Sequence, residues 1–267
     1  MSHVPPVLSG AVAAVAARPA RPSYEALRAF ARNPGALVGL LLLAAILAVV
    51  LFGPLLMQAD PFEIASAPME PPGGELLLGS DYLGRDVLTG MIYGGRATLL
   101  VGVVAAVLSM AIGITVGALA GYYGGWVDET LMRITEFFQV LPTLLFAMVL
   151  VTLFSPSLAT IAVAIGVVSW TGTARLARGE FLRLKRREYV LAERVIGAGD
   201  ARIIWRVILP NALAPLIVSA TLAIGMAILF EAGLSFLGLG DPNIMSWGLM
   251  IGDGLNDALN PTSRGRA

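Results

Sequence analysis

The chain contains no cysteine, one histidine and one lysine, and these shortages exclude several kinds of site. Without cysteine there is no disulfide framework and no thiol chemistry. The single histidine is His3. The chain therefore has neither the two histidines of an HExxH metal site nor, beyond residue 3, a histidine base for a serine nucleophile. Lys185 is followed by Arg186, so the chain lacks the Gly-Lys-[Ser/Thr] phosphate loop of the usual ATP site.

Charged side chains are also scarce. They make up 13% of the 267 residues, whereas 57% are hydrophobic and the mean hydropathy is +0.81. A soluble domain carries about 25% charged residues. We therefore predict an integral membrane protein. The formal net charge is zero, which argues against a nucleic-acid partner.

Long runs without a charged side chain predict five transmembrane helices. A helix needs about 20 apolar residues to cross a membrane. The charge-free runs cover 35–57, 97–127, 137–174 and 207–230. The third run is long enough for two helices, and residues 155–157 (Ser-Pro-Ser) divide it into a hairpin. Pro142 is predicted to kink the first arm of this hairpin without ending it.

The second span is predicted at about Ala97–Ala120, and its small residues indicate close helix packing. The small residues include four glycines that recur at close to four-residue spacing in the second half of the span: Gly102, Gly113, Gly117 and Gly121.

The runs divide the chain into five segments. Residues 1–34 are interpreted as a cytoplasmic leader with a short interfacial helix at Ser23–Arg32, since Asn33-Pro34 favours a break there. A continuous extension of the next helix is the alternative. The other segments are the first transmembrane helix (35–57), an acidic extracytoplasmic loop (58–96), a transmembrane core (97–250) and a C-terminal tail (251–267).

A polar insert at 175–211 lies between two apolar runs and must therefore be a loop at a membrane surface. Between Arg175 and Arg206 there are nine Lys/Arg and four Asp/Glu. A short loop with that excess of Lys/Arg belongs on the cytoplasmic side. The loop at 58–96 and the hairpin turn then lie outside.

The insert has a helical pattern with a glycine corner. Gly197 and Gly199 interrupt the periodicity, and glycine tolerates positive φ without steric cost. Asp200 is predicted to be the N-cap of a second helix at Ala201–Ile208, which Pro210 is predicted to end. Such an amphipathic element on the cytoplasmic face is typical of a docking surface for a soluble partner.

This stretch resembles the cytoplasmic EAA loop of permease subunits of bacterial ABC importers. The family pattern is Glu-Ala-Ala, three residues, Gly, nine residues, Ile, one residue and Leu-Pro. Leu191 stands where the first Glu would be, Glu193 replaces the second Ala, and Val207 replaces Ile. The resemblance implies that the following residues couple the chain to an ATPase: Glu188, Ala192, Glu193, Gly197, Gly199, Asp200, Arg202, Ile203, Arg206, Leu209 and Pro210.

The segment Gly79–Asp86 (GSDYLGRD) resembles a Gly-[Ser/Thr]-Asp-x-Leu-Gly-Arg-Asp motif of the dipeptide, oligopeptide and nickel branch of these permeases. One interpretation is a surface near the dock of the binding protein. The other is a structural turn, with Arg85 paired to Asp81 or Asp86. The motif residues carried over are Gly79, Asp81, Gly84, Arg85 and Asp86.

The C-terminal part departs from the family pattern. Leu234–Met250 resembles the segment that follows the fifth helix, and residues 252–261 (GDGLNDALNP) resemble the family's cytoplasmic tail. The sixth span expected between them is missing, because no charge-free run after Glu231 exceeds 11 residues. We therefore expect the C-terminus outside. Glu231, at the outer end of the fifth span, is a candidate functional residue that partial hydration would accommodate.

The resemblance implies an all-α polytopic membrane protein with the type I permease fold of ABC importers, five transmembrane helices and a cytoplasmic coupling helix. It implies a bacterial cytoplasmic membrane protein that is not an enzyme and imports di- or oligopeptides. The implied partners are a homologous permease, two ATPases that bind ATP and Mg²⁺, an extracytoplasmic binding protein and the lipid membrane.

Two alternatives stay open from the sequence. The same machinery also carries nickel or other small solutes in some family members. An ion-coupled secondary transporter is the alternative of a different class, although such proteins normally show internal repeats and ionisable residues at mid-membrane.

Overall fold

The computed structural model describes residues 28–74 and 76–259, with side chains up to Leu255, and this part of the chain is all-α. It contains isolated antiparallel bridges but no strand in these ranges. The helices are α1 (Pro34–Leu56), α2 (Val87–Tyr123), α3 (Gly125–Val140), α4 (Thr143–Leu153), α5 (Leu158–Val168), α6 (Thr171–Leu184), α7 (Glu188–Val195), α8 (Asp200–Leu239) and α9 (Trp247–Leu259). The predicted all-α class is confirmed.

The described residues form two compact units, one up to Val49 and one from Val50 onward. In the first unit, residues 28–31 are helical and α1 starts anew at Pro34. Asn33 Oδ1 accepts hydrogen bonds from the N–H groups of Gly35 (3.0 Å) and Ala36 (3.3 Å), which caps α1. This agrees with the predicted break at Asn33-Pro34. The first part of the predicted interfacial helix lies outside the described residues.

The second span begins at Val87, and the prediction of a start near Ala97 was wrong. Asp86 caps the helix, because its carboxylate accepts from the N–H groups of Leu88 and Thr89. Arg96 is the charged residue directly before the charge-free run 97–127, so it set the predicted start of the span. In the structure its guanidinium donates to the main-chain carbonyls of Val50 (3.1 Å) and Leu51 (2.7 Å), so the charge is satisfied within the helix pair.

The glycines of α2 let its backbone approach α6. A Cβ atom built at Gly117 would lie 2.2 Å from the carbonyl oxygen of Ala174, and one at Gly113 would lie 2.6 Å from Cβ of Thr173. One at Gly121 would lie 2.7 Å from Cβ of Phe181. These three glycines therefore form one packing face, as their four-residue spacing predicted. Gly102, the fourth member of the predicted set, packs on α8 instead, since a Cβ atom there would lie 2.6 Å from Cγ1 of Ile228.

Two spans are broken helices. The α3–α4 pair bends by 86° and the α5–α6 pair by 44°. Pro142 does not merely kink the first arm, because α3 ends at Val140 and Leu141 is extended (φ −71°, ψ 129°). Proline disfavours helical backbone in the residue before it, which is the physical reason for the break.

By length and apolar composition, three helices of the described chain can cross a membrane, or five spans if each bent pair counts as one. Five spans agree with the sequence prediction. Residues 155–157 lie in the turn between α4 and α5, where the hairpin turn was predicted. Ser157 Oγ caps α5 by accepting a hydrogen bond from Thr160 N (3.1 Å).

Helix α8 runs from Asp200 to Leu239 without a stop at Pro210, so the prediction that this proline ends the coupling helix was wrong. Residues Ile203–Ile208 form a π-helical section, in which Leu209 N donates to the carbonyl of Ile204, five residues back. The missing N–H of proline falls at the junction where the bonding pattern changes from π to α. The predicted coupling helix and the fifth span are therefore one continuous element.

The buried side chains form two clusters. One joins α2, α4, α5 and α8 around Val101, Val151, Ile161, Ile165 and Leu234. The other joins α2, α6, α7 and α8 around Phe181, Val190, Ile203, Ile208 and Leu216. The second cluster includes buried side chains of the polar insert, such as Val190 and Ile203, and it therefore fixes the position of the candidate site.

Candidate functional site: the coupling region

Helix α7 ends in a glycine corner at Gly197. Gly197 N donates to the carbonyl of Arg194 and Ala198 N donates to that of Glu193, each at 3.0 Å, which is the Schellman pattern. Gly197 has φ +82°, so this glycine supplies the left-handed residue that the motif requires. Gly199 has φ −70° and precedes α8, so its predicted role in positive φ was wrong.

Asp200 does not cap the helix that follows, contrary to the prediction, because its side chain is bonded elsewhere. Gly199 occupies the N-cap position, and Asp200 Oδ1 accepts a hydrogen bond of 2.6 Å from the hydroxyl of Tyr122 at the end of α2. The guanidinium carbon of Arg194 lies 5.2 Å from the centroid of the Tyr122 ring. Asp200, Tyr122 and Arg194 thus connect α2, α7 and α8.

Lys185 strengthens this connection from the end of α6. Its ammonium group donates to the carbonyl of Gly121 at 2.7 Å and to that of Tyr122 at 3.3 Å, where α2 leaves backbone oxygens unpaired. Burial lowers the pKa of Lys185 from its ordinary value. Sequence reasoning missed Tyr122 and Lys185 as parts of the site, because they lie 78 and 64 residues from the groups that they bind. It missed Arg194 because the contact of that side chain is the Tyr122 ring, which is also distant in the sequence.

The apolar anchor of the region is buried. Val190, Ile203 and Ile208 are fully buried, and Ile204 is nearly so. In a regular α-helix, Ile203 and Val207 would lie on one face, because they are four residues apart. In the π-helical section, whose hydrogen bonds span five residues, Ile203 and Ile208 lie on the buried side with Ile204, and Val207 is only partly buried.

Exposed side chains on the same stretch define the coupling surface. We use this name for the following residues: Leu191, Val195, Ile196, Arg202, Trp205 and Arg206. Val195 is 87% and Ile196 is 74% exposed. Arg202 lies 3.7 Å from Glu193, and its side chain is 60% exposed. Apolar groups presented beside arginines are typical of a protein-docking surface.

The remaining residues of the predicted coupling set do not share one environment. Glu188 and Ala192 are exposed on α7, and Pro210 is exposed on α8. Leu209 is partly buried against the second core cluster.

The GSDYLGRD segment is a tight turn before α2. Cβ atoms at Gly79 and Gly84 would lie 2.4 Å and 2.3 Å from the carbonyls of Glu70 and Ser66, and both glycines have positive φ. Asp81 Oδ1 accepts from Leu83 N and Arg85 N, each at 2.8 Å. These bonds favour the structural interpretation of the motif.

Arg85 pairs with neither Asp81 nor Asp86, so this part of the structural interpretation was wrong. Its Nη1 lies 3.7 Å from Asp253 Oδ2 on α9, and its guanidinium stacks over Phe62 at 5.1 Å. The carboxylates of Asp81 and Asp86 are already occupied by main-chain N–H groups.

Helix α9 crosses the predicted boundary between core and tail at Met250. It packs on α2 through glycines, since a Cβ atom at Gly90 would lie 2.9 Å from Cε of Met250, and one at Gly95 would lie 2.9 Å from the Trp247 ring. Residues predicted to belong to the C-terminal tail, such as Asp253, therefore lie in a helix beside the GSDYLGRD turn.

Glu231 is completely buried, so the prediction that partial hydration accommodates its side chain at the membrane edge was wrong. Its Oε1 accepts a hydrogen bond of 2.7 Å from Ser235 Oγ, one helical turn further on. Its Oε2 has no hydrogen-bond partner among the described residues.

Residues 113–256 match the family model described as the binding-protein-dependent transport system inner membrane component. The chain belongs to this family of transport permeases. Residues 22–72 of the permease also match the N-terminal TM domain of oligopeptide transport permease C.

Curated relatives agree. The permease is 41% identical to the dipeptide transport system permease protein DppC of Bacillus subtilis, over 89% of its own length and 75% of that protein's. It is 38% identical to the oligopeptide transport system permease protein OppC of the same species, over 86% and 76% of the two lengths. With the di/tripeptide permease protein DppC of Pseudomonas aeruginosa, it shares 36% identity over 92% and 94%.

Among solved structures, a chain of the MetNI methionine ABC transporter in an inward-facing conformation shares the fold. The TM-score is 0.51 at 22% identity, and the match covers 58% of the permease and 77% of that chain. The permease is a multi-pass protein of the cytoplasmic membrane and a membrane-spanning subunit of an ABC importer.

Proposed function

We propose that this permease moves di- or oligopeptides across the cytoplasmic membrane. The observation that carries the proposal is its 41% identity to a dipeptide transport system permease over most of both chains. We further propose that it pairs with a homologous permease, that two ATPases drive the importer, and that an extracytoplasmic binding protein delivers the peptide.

The geometry supports a specific path for coupling. The coupling surface docks on an ATPase, and its motion reaches the membrane by two connections. One is α8 itself, since the docking end and the fifth span are a single helix. The other is the bond from Asp200 to Tyr122, which leads into α2. A rigid connection is needed because shifting a population from 1:99 to 99:1 takes about 5.5 kcal/mol.

ATP and Mg²⁺ bind to the partner ATPases in this proposal, and the permease itself is not an enzyme. The chain lacks the lysine phosphate loop that holds nucleotide phosphates. Purified permease alone should hydrolyse no ATP above the rate of an empty-liposome blank. Steady ATP turnover by the isolated chain would contradict this assignment.

The coupling path is tested with Tyr122→Phe in the complete complex in proteoliposomes. Removing one hydrogen bond to a carboxylate costs about 1.5–3 kcal/mol, so transport per ATP hydrolysed should fall about tenfold or more. Tyr123→Phe is the matched control, because Tyr123 is half-exposed beside it. Equal transport by the two variants would rule out the bond as a coupling element.

The substrate is tested by ATPase stimulation. The binding protein is loaded with dialanine, with a longer alanine peptide or with nickel, and added to the reconstituted complex. Peptide-loaded protein should stimulate ATP hydrolysis and drive uptake of labelled peptide. Stimulation by nickel alone would contradict the peptide assignment and leave the permease assignment intact.

A further inference from the structure

A cavity of about 310 Å³ lies between α2, the bend from α5 to α6, and α8. Its described lining residues include no charged side chain, and six of them carry hydroxyl groups: Ser109, Thr143, Ser169, Thr171, Thr173 and Ser219. The rest of the wall is apolar. Because polar groups are costly inside a membrane, a hydroxyl group there needs a hydrogen-bond partner.

Two of these hydroxyl groups have unused bonding capacity. Oγ of Ser109 and Oγ of Ser169 are buried and have no hydrogen-bond partner among the described residues. Ser109 is only 2% exposed. Other hydroxyls of the same spans are satisfied by their own helix: Thr115 donates to Ala111 O and Thr221 to Val218 O, each at 2.7 Å. A buried hydroxyl without a partner is unfavourable, so these two serines point to a polar ligand.

The position of the cavity fits a transported ligand. Ser169 occupies the break between α5 and α6, where the span bends by 44°. Breaks in transmembrane helices occur at the substrate sites of transporters, because irregular backbone is tolerated where it lines a cavity. Ser109 lies on α2, which packs against the same bend.

We propose that this cavity binds the backbone amide groups of a peptide in transit, with the hydroxyls of Ser109 and Ser169 as its hydrogen-bonding groups. A hydroxyl both donates and accepts, and a peptide unit offers one donor and one acceptor. The apolar wall, which includes Leu222, Met226 and Phe230, contacts side chains without selecting a charge. The inference rests on the proposed function and adds a peptide-contact site to it.

The first experiment measures uptake of radiolabelled trialanine by the complete complex in proteoliposomes. The double variant Ser109→Ala/Ser169→Ala should take up the peptide about fivefold more slowly, which corresponds to about 1 kcal/mol. ATP hydrolysis stimulated by the loaded binding protein should stay within about twofold of wild type, since the coupling region is untouched. Thr115→Val is the control, because that hydroxyl already bonds to its own helix.

The outcomes separate the two proposals. If the wild-type complex does not take up trialanine, the proposed function fails. If it does and the double variant matches it, the peptide-contact site fails and the proposed function stands. A double variant that loses ATPase stimulation in parallel with uptake also overturns the site, because the two serines then have a structural role.

The second experiment is direct labelling, for which a chain without cysteine is suited. Ser109→Cys in the working complex is exposed to the peptide Ala-Lys-Ala with a bromoacetyl group on the lysine side chain. The thiol should alkylate during ATP turnover, and excess trialanine should protect it. Thr115→Cys should not be labelled. Absence of labelling at position 109 during turnover would show that a neighbouring helix covers the cavity and would overturn the proposal.

Discussion

Arg85 Nη1 and Asp253 Oδ2 lie 3.7 Å apart, and this ion pair connects the turn before α2 to helix α9. Both side chains are largely buried, at 19% and 22% exposure. Burial raises the pKa of Asp253 above its ordinary value of 3.8, and this effect exceeds the opposing effect of Arg85. Ionising Asp253 is therefore harder in the folded chain than in the unfolded chain.

The first prediction follows from the sign of this shift. An acid whose pKa is raised by folding stabilises the fold fully below its unfolded pKa, and this contribution is lost as the pH rises through the folded pKa. Compared with Asp253→Asn, the wild-type permease should have its greatest advantage in thermal midpoint below about pH 4. That advantage should shrink toward neutral pH. A difference that grows with pH would mean that the ion pair with Arg85 outweighs burial.

The second prediction concerns the contact of α2 with α6. Gly117→Ala places a methyl carbon 2.2 Å from the carbonyl oxygen of Ala174, so the two backbones must separate. Overpacking of this kind costs about 1–3 kcal/mol or more. The variant should lose most of the monodisperse protein in detergent and melt several degrees lower. Gly225 lies on α8, and a Cβ atom there would meet no atom within 4 Å, so Gly225→Ala should behave like wild type. Equal behaviour of the two variants would contradict the observed packing.

The third prediction concerns the glycine corner. Gly197 has φ +82° and an open surrounding, so a substitution there is strained by backbone conformation and not by a clash. A β-branched residue is a strong outlier at positive φ, whereas Asn tolerates it. Gly197→Val should cost about 1–3 kcal/mol locally and reduce both ATPase retention and transport. Gly197→Asn should retain most of each activity. Co-purification of the ATPases and peptide uptake measure the two effects, and full activity of the Val variant would contradict a coupling role.

The fourth prediction concerns sidedness. Leu77 and Leu255 are exposed, and the contact between Arg85 and Asp253 connects their two segments. Leu77→Cys and Leu255→Cys should react with a membrane-impermeant maleimide added outside, and Arg183→Cys should react only from the cytoplasmic side. Each variant carries one thiol in a chain without cysteine. Reaction of positions 183 and 255 from the same side would contradict this topology.

Several features were predictable because the membrane tolerates few charges. Five spans followed from charge-free runs, and the close packing at Gly113 and Gly117 followed from their spacing. Helix ends were less predictable. Arg96 suggested a boundary although its charge is satisfied by two carbonyls of α1. Pro210 suggested a stop, although a π-helical section accommodates it.

The sequence by itself determined the class of protein, the family and the approximate place of the coupling region, because hydropathy, Lys/Arg excess and motif spacing are local properties of the chain. Only the tertiary structure decided which side chains meet. Asp200 bonds to Tyr122 rather than capping its own helix, and Ser109 lies at one cavity with Ser169. Such pairings depend on how α2, α6 and α8 pack, and a hydroxyl or carboxylate takes whichever partner that packing brings within about 3 Å.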